Sequence, residues 1–303
     1  MRALVTGATG FVGTSLLSRL DRPVVLSRNP PAAEKRLKLY GATVYPWDSA
    51  TERPPAAAFE GVDVVFHLAG ESVGEGRWTA AKKKRIRDSR VDGTRYLVET
   101  LGQLSVRPKV LVSASAIGYY GSRGDELLDE SAAAGNDFLA EVCVAWEREA
   151  LAAEKLGIRV VTLRTGIVLG KGGGALAKML TPFKLGVGGR LGSGHQWMSW
   201  IHLEDEAGLM LHAAEHDAIR GAINLVSPSP VTNREFTRTL GRVLGRPTLF
   251  PAPKFALRLA IGEFAQVLLG SQRVVPKVAE QAGYQFRYPK LDEALEHILH
   301  AGK

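Results

Sequence analysis

Two phenols and two hydroxyls crowd one short segment, Ser113-Ala114-Ser115-Ala116-Ile117-Gly118-Tyr119-Tyr120-Gly121. A hydroxyl beside a substrate oxygen and a phenol able to exchange a proton suit carbonyl–alcohol interconversion. Ser115 is the candidate to hold a substrate oxygen, with Tyr119 or Tyr120 as the acid–base group. The same groups would otherwise satisfy only the backbone of their own loop. Glu141 is a weaker alternative. A phenol with no ammonium beside it is a poor base near neutrality, so an enzyme built this way is expected to be slow.

A second pattern lies at the amino end, where an apolar run meets Gly7, Gly10 and Gly13 in the stretch LVTGATGFVG, and helix-like spacing follows. One glycine lets the chain turn off a strand, another admits a pyrophosphate, and a third lets the helix pack on the sheet. The phosphates would sit at the N-terminus of the helix that begins near Gly10, where free N–H groups favour an anion. A mere glycine-rich turn is the plainer alternative.

Ser27 and Arg28 end the next apolar run. A free ribose 2′-hydroxyl favours an acidic residue there and a 2′-phosphate favours arginine, so the pair points to NADP rather than NAD. Asp48 is placed either to accept from an adenine amino group or to cap its own turn. His67 at a strand end reads as a structural histidine, and the small residues after it, Leu68, Ala69 and Gly70, leave room for a cofactor. Gly166 and Val168 belong to a second small-residue stretch suited to lie against a nicotinamide, and Ser113 is counted among the cofactor contacts.

These residues need a scaffold. Strand patterns at 2–6, 23–27, 42–45, 62–68, 110–113, 160–163 and 222–226 alternate with helical ones, clearest at 79–101 and 137–156. That alternation predicts an α/β fold, a Rossmann-like doubly wound parallel sheet, with ligands at the carboxyl ends of the strands. Residues 1–170 would form the nucleotide domain, also receiving elements from 195–227, and 171–303 a smaller α+β substrate lobe. Glycines punctuate 171–194 and suggest a mobile segment over the site. Thr232 with Glu235 three residues on fits a capping box.

The chain has 303 residues, 45% hydrophobic and 23% charged, which suits a globular protein with a sizeable core. Its single cysteine, Cys143, excludes an internal disulfide, and His195 and His202 lack an acidic ligand pattern, so no metal is expected. The +8 charge includes a run from Lys82 to Arg87 that reads as a solvated helix face. A small phosphate-bearing ligand accounts for the excess, and nucleic acid is not expected as a partner. Phe255 to Leu269 is too short and too interrupted to span a bilayer, and no secretory leader precedes the first strand. The expected compartment is the cytoplasm, and the oligomeric state is left open.

With these residues in view, the chain resembles the extended short-chain dehydrogenase/reductases. It is more similar to their atypical NAD-dependent epimerase/dehydratase, or "epimerase family protein", group. The resemblance rests on VTGATGFVG (5–13), LSRNP (26–30), HLAGES (67–72), SRVDGTRYLVE (89–99), SASAIGYYG (113–121) and LRTGIVLG (163–170). It continues through HQWMSWIHLED (195–205), NLVSPSPVTNREF (224–236) and a terminal block at 270–295. It implies an NADP-binding core under a smaller lobe. The implied cofactor contacts are Gly7, Thr9, Gly10, Phe11, Val12, Ser27, Arg28, Leu68, Ala69, Gly70, Arg90 and the 166–168 stretch.

Two departures follow from the same comparison. Arg90 stands where extended members commonly carry asparagine. The family's catalytic tyrosine with lysine four residues later is missing, since none of the seven tyrosines has that partner. Leu139 and Cys143 occupy the corresponding helix positions, and the family's serine aligns at Ala116 or Ser115. The expectation is an oxidoreductase or epimerase-like enzyme acting on a polar, sugar-like molecule, with a non-catalytic NADP(H) sensor as the alternative.

Overall fold

Apolar residues alternate along the central strands, and that period of two sorts them onto two faces of one sheet. Ala3 and Val5 pack on one face and Leu4 on the other; Val64 and Phe66 oppose Val65, and Val110 and Val112 oppose Leu111. In the computed structural model, which describes residues 1–300, seven strands form this sheet. They are β1 (Ala3–Thr6), β2 (Val24–Ser27), β3 (Thr43–Pro46), β4 (Val64–His67), β5 (Val110–Ala116), β6 (Arg159–Thr165) and β7 (Gly221–Leu225). All neighbours are parallel, in the order β7-β6-β5-β4-β1-β2-β3. The order reverses between β1 and β4, which opens a crevice at the carboxyl ends of those strands.

Helices α1 (Phe11–Leu17) and α2 (Pro30–Leu37) cover one face, and α3 (Ala80–Gln103) and α4 (Phe138–Leu151) the other. Their starts follow from capping chemistry. Asn29 accepts the Ala32 N–H, Thr79 the Lys82 N–H and Asp137 the Ala140 N–H, each satisfying an otherwise orphaned donor. The glycine-punctuated segment holds more order than its composition suggests: α5 spans Gly174–Lys184. A second apolar cluster joins α5 to α7 (Asn233–Leu244), the last helix Leu291–His300 and the strand residues Met198 and Trp200. Thr232 caps α7 by accepting the Glu235 N–H.

Between these, α6 (Leu203–Glu215) returns to the first face. His202 caps it through Nδ1, which accepts the Glu204 N–H, and burial holds its pKa down at about 4. Asp205 beside it accepts the backbone N–H groups of Arg287 and Tyr288 and so fastens the C-terminal segment. No helix of the described residues is long and apolar enough to cross a membrane.

Glu206 in the first turn of α6 is fully buried. Its Oε1 accepts the Thr165 hydroxyl at 2.9 Å, while Oε2 meets no partner. Burial raises its pKa from 4.5 to about 8. The folded chain therefore keeps a proton that the unfolded chain releases, and stability falls as pH rises from 4.5 towards 8. Glu206→Gln is expected to raise the melting temperature at pH 8, by on the order of a few kcal/mol of stability, and to lose this advantage near pH 5. Melting curves across that range check it; parallel curves for the two proteins would contradict it.

Candidate nucleotide and active site

The turn after β1 is built so that no side chain fits at Gly7 or Gly13. Gly7 has φ +67°, and a Cβ there would lie 2.7 Å from the Leu68 carbonyl oxygen. A Cβ on Gly13 would lie 2.4 Å from the Gly7 carbonyl oxygen, so the third glycine seats α1 against the turn. Thr6 pulls the two strand ends together: its hydroxyl oxygen accepts the N–H groups of Leu68 and Ala69, both at 3.0 Å. Gly10 precedes α1 without a side-chain cap, and the amides of Phe11, Val12 and Gly13 meet no acceptor among the described residues. Three N–H groups left without an acceptor at a helix start are a fit for an anion. Thr9 and Gly10 flank them, half-buried and exposed.

Phe11 explains glycines that had suggested mobility. Hypothetical Cβ atoms at Gly170, Gly173 and Gly174 would each come within 2.9 Å of its ring. The segment after β6 therefore folds over the first turn of α1. Gly166 is also a packing glycine, because a Cβ there would sit 2.6 Å from the Ser199 carbonyl oxygen. Val168 is half-buried and pairs with Ile201 in a short parallel ladder.

At the end of β2, Arg28 is exposed and makes no hydrogen bond or ion pair among the described residues. Ser27 accepts the Asn29 N–H at 3.2 Å. Asp48 caps its own turn through Oδ1, which accepts the Ala50 N–H at 3.0 Å. His67 is structural: Thr6 and Thr94 hold its two ring nitrogens at 2.9 and 3.0 Å, and burial lowers its pKa to about 4. Arg90 reaches over Gly70, donates to the carbonyls of Glu71 and Ile86, and lies above the Trp146 ring. Burial lowers its pKa.

The expected catalytic hydroxyls fare differently. Ser115, on the α4 side of β5, donates to Glu147 Oε1 at 2.6 Å and is 5% exposed. Glu147 in turn takes a two-pronged ion pair from Arg164, both contacts 2.9 Å. Burial alone would lower the Arg164 pKa, but the bonds and charge of Glu147 outweigh it and raise it. Arg164 also donates to the Tyr120 hydroxyl at 3.1 Å, and that hydroxyl donates to Asn224 Oδ1 at 2.7 Å. Tyr120 is fully buried, and burial pushes its pKa up to about 12.

In this structure Tyr120 is a strut, its hydroxyl committed to Arg164 and Asn224, and the Ser115 hydroxyl is committed to Glu147 in the same way. Ser113 is fully buried too, with a hydroxyl that meets no partner among the described residues. Tyr119 is half-buried beneath the Arg164 guanidinium, 3.5 Å from its ring centre, and its hydroxyl makes no hydrogen bond among the described residues. Glu141 is exposed on the first turn of α4.

Leu139 and Cys143 approach Gly118, where a Cβ would come 3.3 Å from Leu139 Cβ and 3.8 Å from the Cys143 sulfur. Burial, with Glu147 nearby, pushes the Cys143 thiol up to about 12, so it is inert as a nucleophile. Half-buried Ala116, not Ser115, occupies the next position along β5.

Residues 71–79 are tied to elements later in the chain. Lys178 donates to the Gly74 carbonyl at 2.6 Å and Arg77 to that of Leu259 at 2.8 Å, while Trp78 packs between Phe138 and Phe264. Neither the Lys178 anchor nor the Arg164 network announces itself in sequence; a buried arginine mid-strand is the one signal available for the latter.

Residues 3–225 match the model of the NAD dependent epimerase/dehydratase family, and residues 252–298 match a domain of unknown function. An epimerase family protein of Mycobacterium leprae is 39% identical over 298 residues, covering 97% of this chain and 94% of that one. The crystal structure of the human epimerase family protein SDR39U1 with NADPH superposes with a TM-score of 0.86 at 35% identity, covering 98% of this chain and 99% of that one. A nucleoside-diphosphate sugar epimerase from Corynebacterium glutamicum gives 0.75 at 32% identity, with 99% of this chain on 58% of that one. The chain belongs to the NAD dependent epimerase/dehydratase family.

The buried Glu147–Arg164 pair sets a stability test. Glu147→Ala leaves a guanidinium buried without its carboxylate and is expected to cost about 3–5 kcal/mol. Ser115→Ala removes one bond to a charged group and is expected to cost about 1–3 kcal/mol. Urea unfolding measures both; an unchanged midpoint for Ser115→Ala would contradict its structural role.

Proposed function

We propose that the protein is an NADP(H)-dependent oxidoreductase that acts on a small polar, sugar-like molecule. The observation that carries this reading is the tight glycine turn and the helix start whose N–H groups meet no acceptor, set one strand away from an arginine with no partner of its own among the described residues. The amides of Phe11 and Val12 would hold the pyrophosphate, and Arg28 with Ser27 the 2′-phosphate. Asp48 would meet the adenine end, and Leu68 to Gly70 and Arg90 would lie along the cofactor on the way to Val168. When bound, the nicotinamide supplies hydride transfer. The human relative whose crystal structure contains NADPH supports this choice of cofactor.

The chain's own part is to bind, orient and move a proton. With the Ser115 and Tyr120 hydroxyls committed elsewhere, Tyr119 is the phenol left for the last task. A second reading, a cofactor-holding sensor without turnover, is favoured by Leu139 and Cys143, which leave no tyrosine–lysine pair on α4.

Calorimetric titration should show NADPH binding more tightly than NADH by about tenfold or more, and Arg28→Glu should erase that margin. Equal affinities in the wild type would refute the 2′-phosphate assignment. NADPH oxidation against a panel of small carbonyl compounds should be slow and lost in Tyr119→Phe, with NADPH still bound. Tight binding with no turnover on any substrate would move the assignment to the sensor.

A further inference from the structure

The densest unneutralised charge lies away from the nucleotide site, on α7. That helix buries Phe236, Thr237, Leu240 and Val243. Its opposite stripe therefore carries Arg234, Arg238 and Arg242, each four residues from the next. Like charges at this spacing repel and weaken a helix, so the stripe is costly unless an anion offsets it.

A cleft of about 760 Å³ runs along the stripe, closed on its far side by Lys290, Leu291 and Asp292. A smaller one of about 230 Å³ continues past Arg234 and Arg238 to Arg190 and Thr248. Arg242 has Asp292 at 3.7 Å and Lys290 has Glu293 at 3.1 Å. Arg190 donates only to the Gly192 and Ser193 carbonyls, and Arg234 only to the Ser193 carbonyl and His195 Nε2. Arg238 has neither hydrogen bond nor ion pair among the described residues. Glu235 is the carboxylate on the same wall.

The contrast with α3 is direct. There Lys82 and Arg85 share Glu71, Lys83 meets Glu263, and Lys84 and Arg87 share Asp88. Each of those cations meets a carboxylate within the fold, while Arg190, Arg234 and Arg238 meet none among the described residues.

We propose that this cleft binds a small oligophosphate, two or more linked phosphate groups, bare or as the tail of a nucleotide. Planar guanidinium forks suit phosphate oxygens in pairs. Arginines about 6 Å apart along the helix axis leave room for a chain of linked phosphates to run from one to the next. The volume is that of a small-molecule site.

Tripolyphosphate and ATP are titrated by calorimetry into the wild-type protein and into the R234Q/R238Q double variant. Saturable binding that the double variant weakens by about tenfold or more, with NADPH affinity unchanged, is the expected result. Equal affinity for the two probes assigns the cleft to phosphates alone, and tighter ATP adds a nucleoside contact; both support the proposal. Binding of neither probe, or equal binding to both proteins, overturns it. So does a single-stranded oligonucleotide that binds more tightly than tripolyphosphate and depends on the same two arginines.

Discussion

The fold turns on one close approach, between the turn after β1 and the chain leaving β4. A Cβ at Gly7 would lie inside contact distance of the Leu68 carbonyl oxygen, and Thr6 ties the two segments with a single hydroxyl that also meets His67. Just beyond this turn α1 begins with three amides that meet no acceptor among the described residues. Its first residue, Phe11, packs against the segment after β6 at Gly170, Gly173 and Gly174. The tight glycine turn, the anion-ready helix start and the chain that covers it thus lie together.

A second interaction decides what the carboxyl ends of β5 and β6 cannot do. Glu147 on α4 gathers Ser115 and Arg164, and Arg164 gathers Tyr120 and the Glu130 carbonyl. Breaking such a pair leaves a charge unpaired in low dielectric, so its members are held in place. Hydroxyls that would suit catalysis become braces between α4, β5, β6 and β7. The C-terminal segment joins the same network, since Asn224 donates to the Val275 carbonyl and Glu130 accepts the Val278 N–H.

Much of the scaffold was legible in sequence because it follows from local rules. The strands begin and end within a residue or three of the alternating runs, and Thr79, Asp137 and Thr232 cap the helices they precede. Two kinds of feature were not. The parity of a strand decides which face a residue takes, and it sets Ser115 on the α4 side against Glu147. Tyr119 and Tyr120 are adjacent and chemically alike, yet Asn224, more than a hundred residues later, is what buries one hydroxyl. What sequence does not show is that Gly170, Gly173 and Gly174 make room for the Phe11 ring.

The central claim is that the turn after β1, the end of β2 and the exit of β4 together hold one nucleotide. Amide hydrogen exchange with and without saturating NADPH tests it most directly, because it reads each backbone N–H separately. The account predicts slowed exchange at Thr9 to Gly13, at Ser27 and Arg28 and at Leu68 to Gly70, with the outer face of α7 unchanged. Protection that misses Phe11 and Val12, or that falls chiefly along α7, would contradict it.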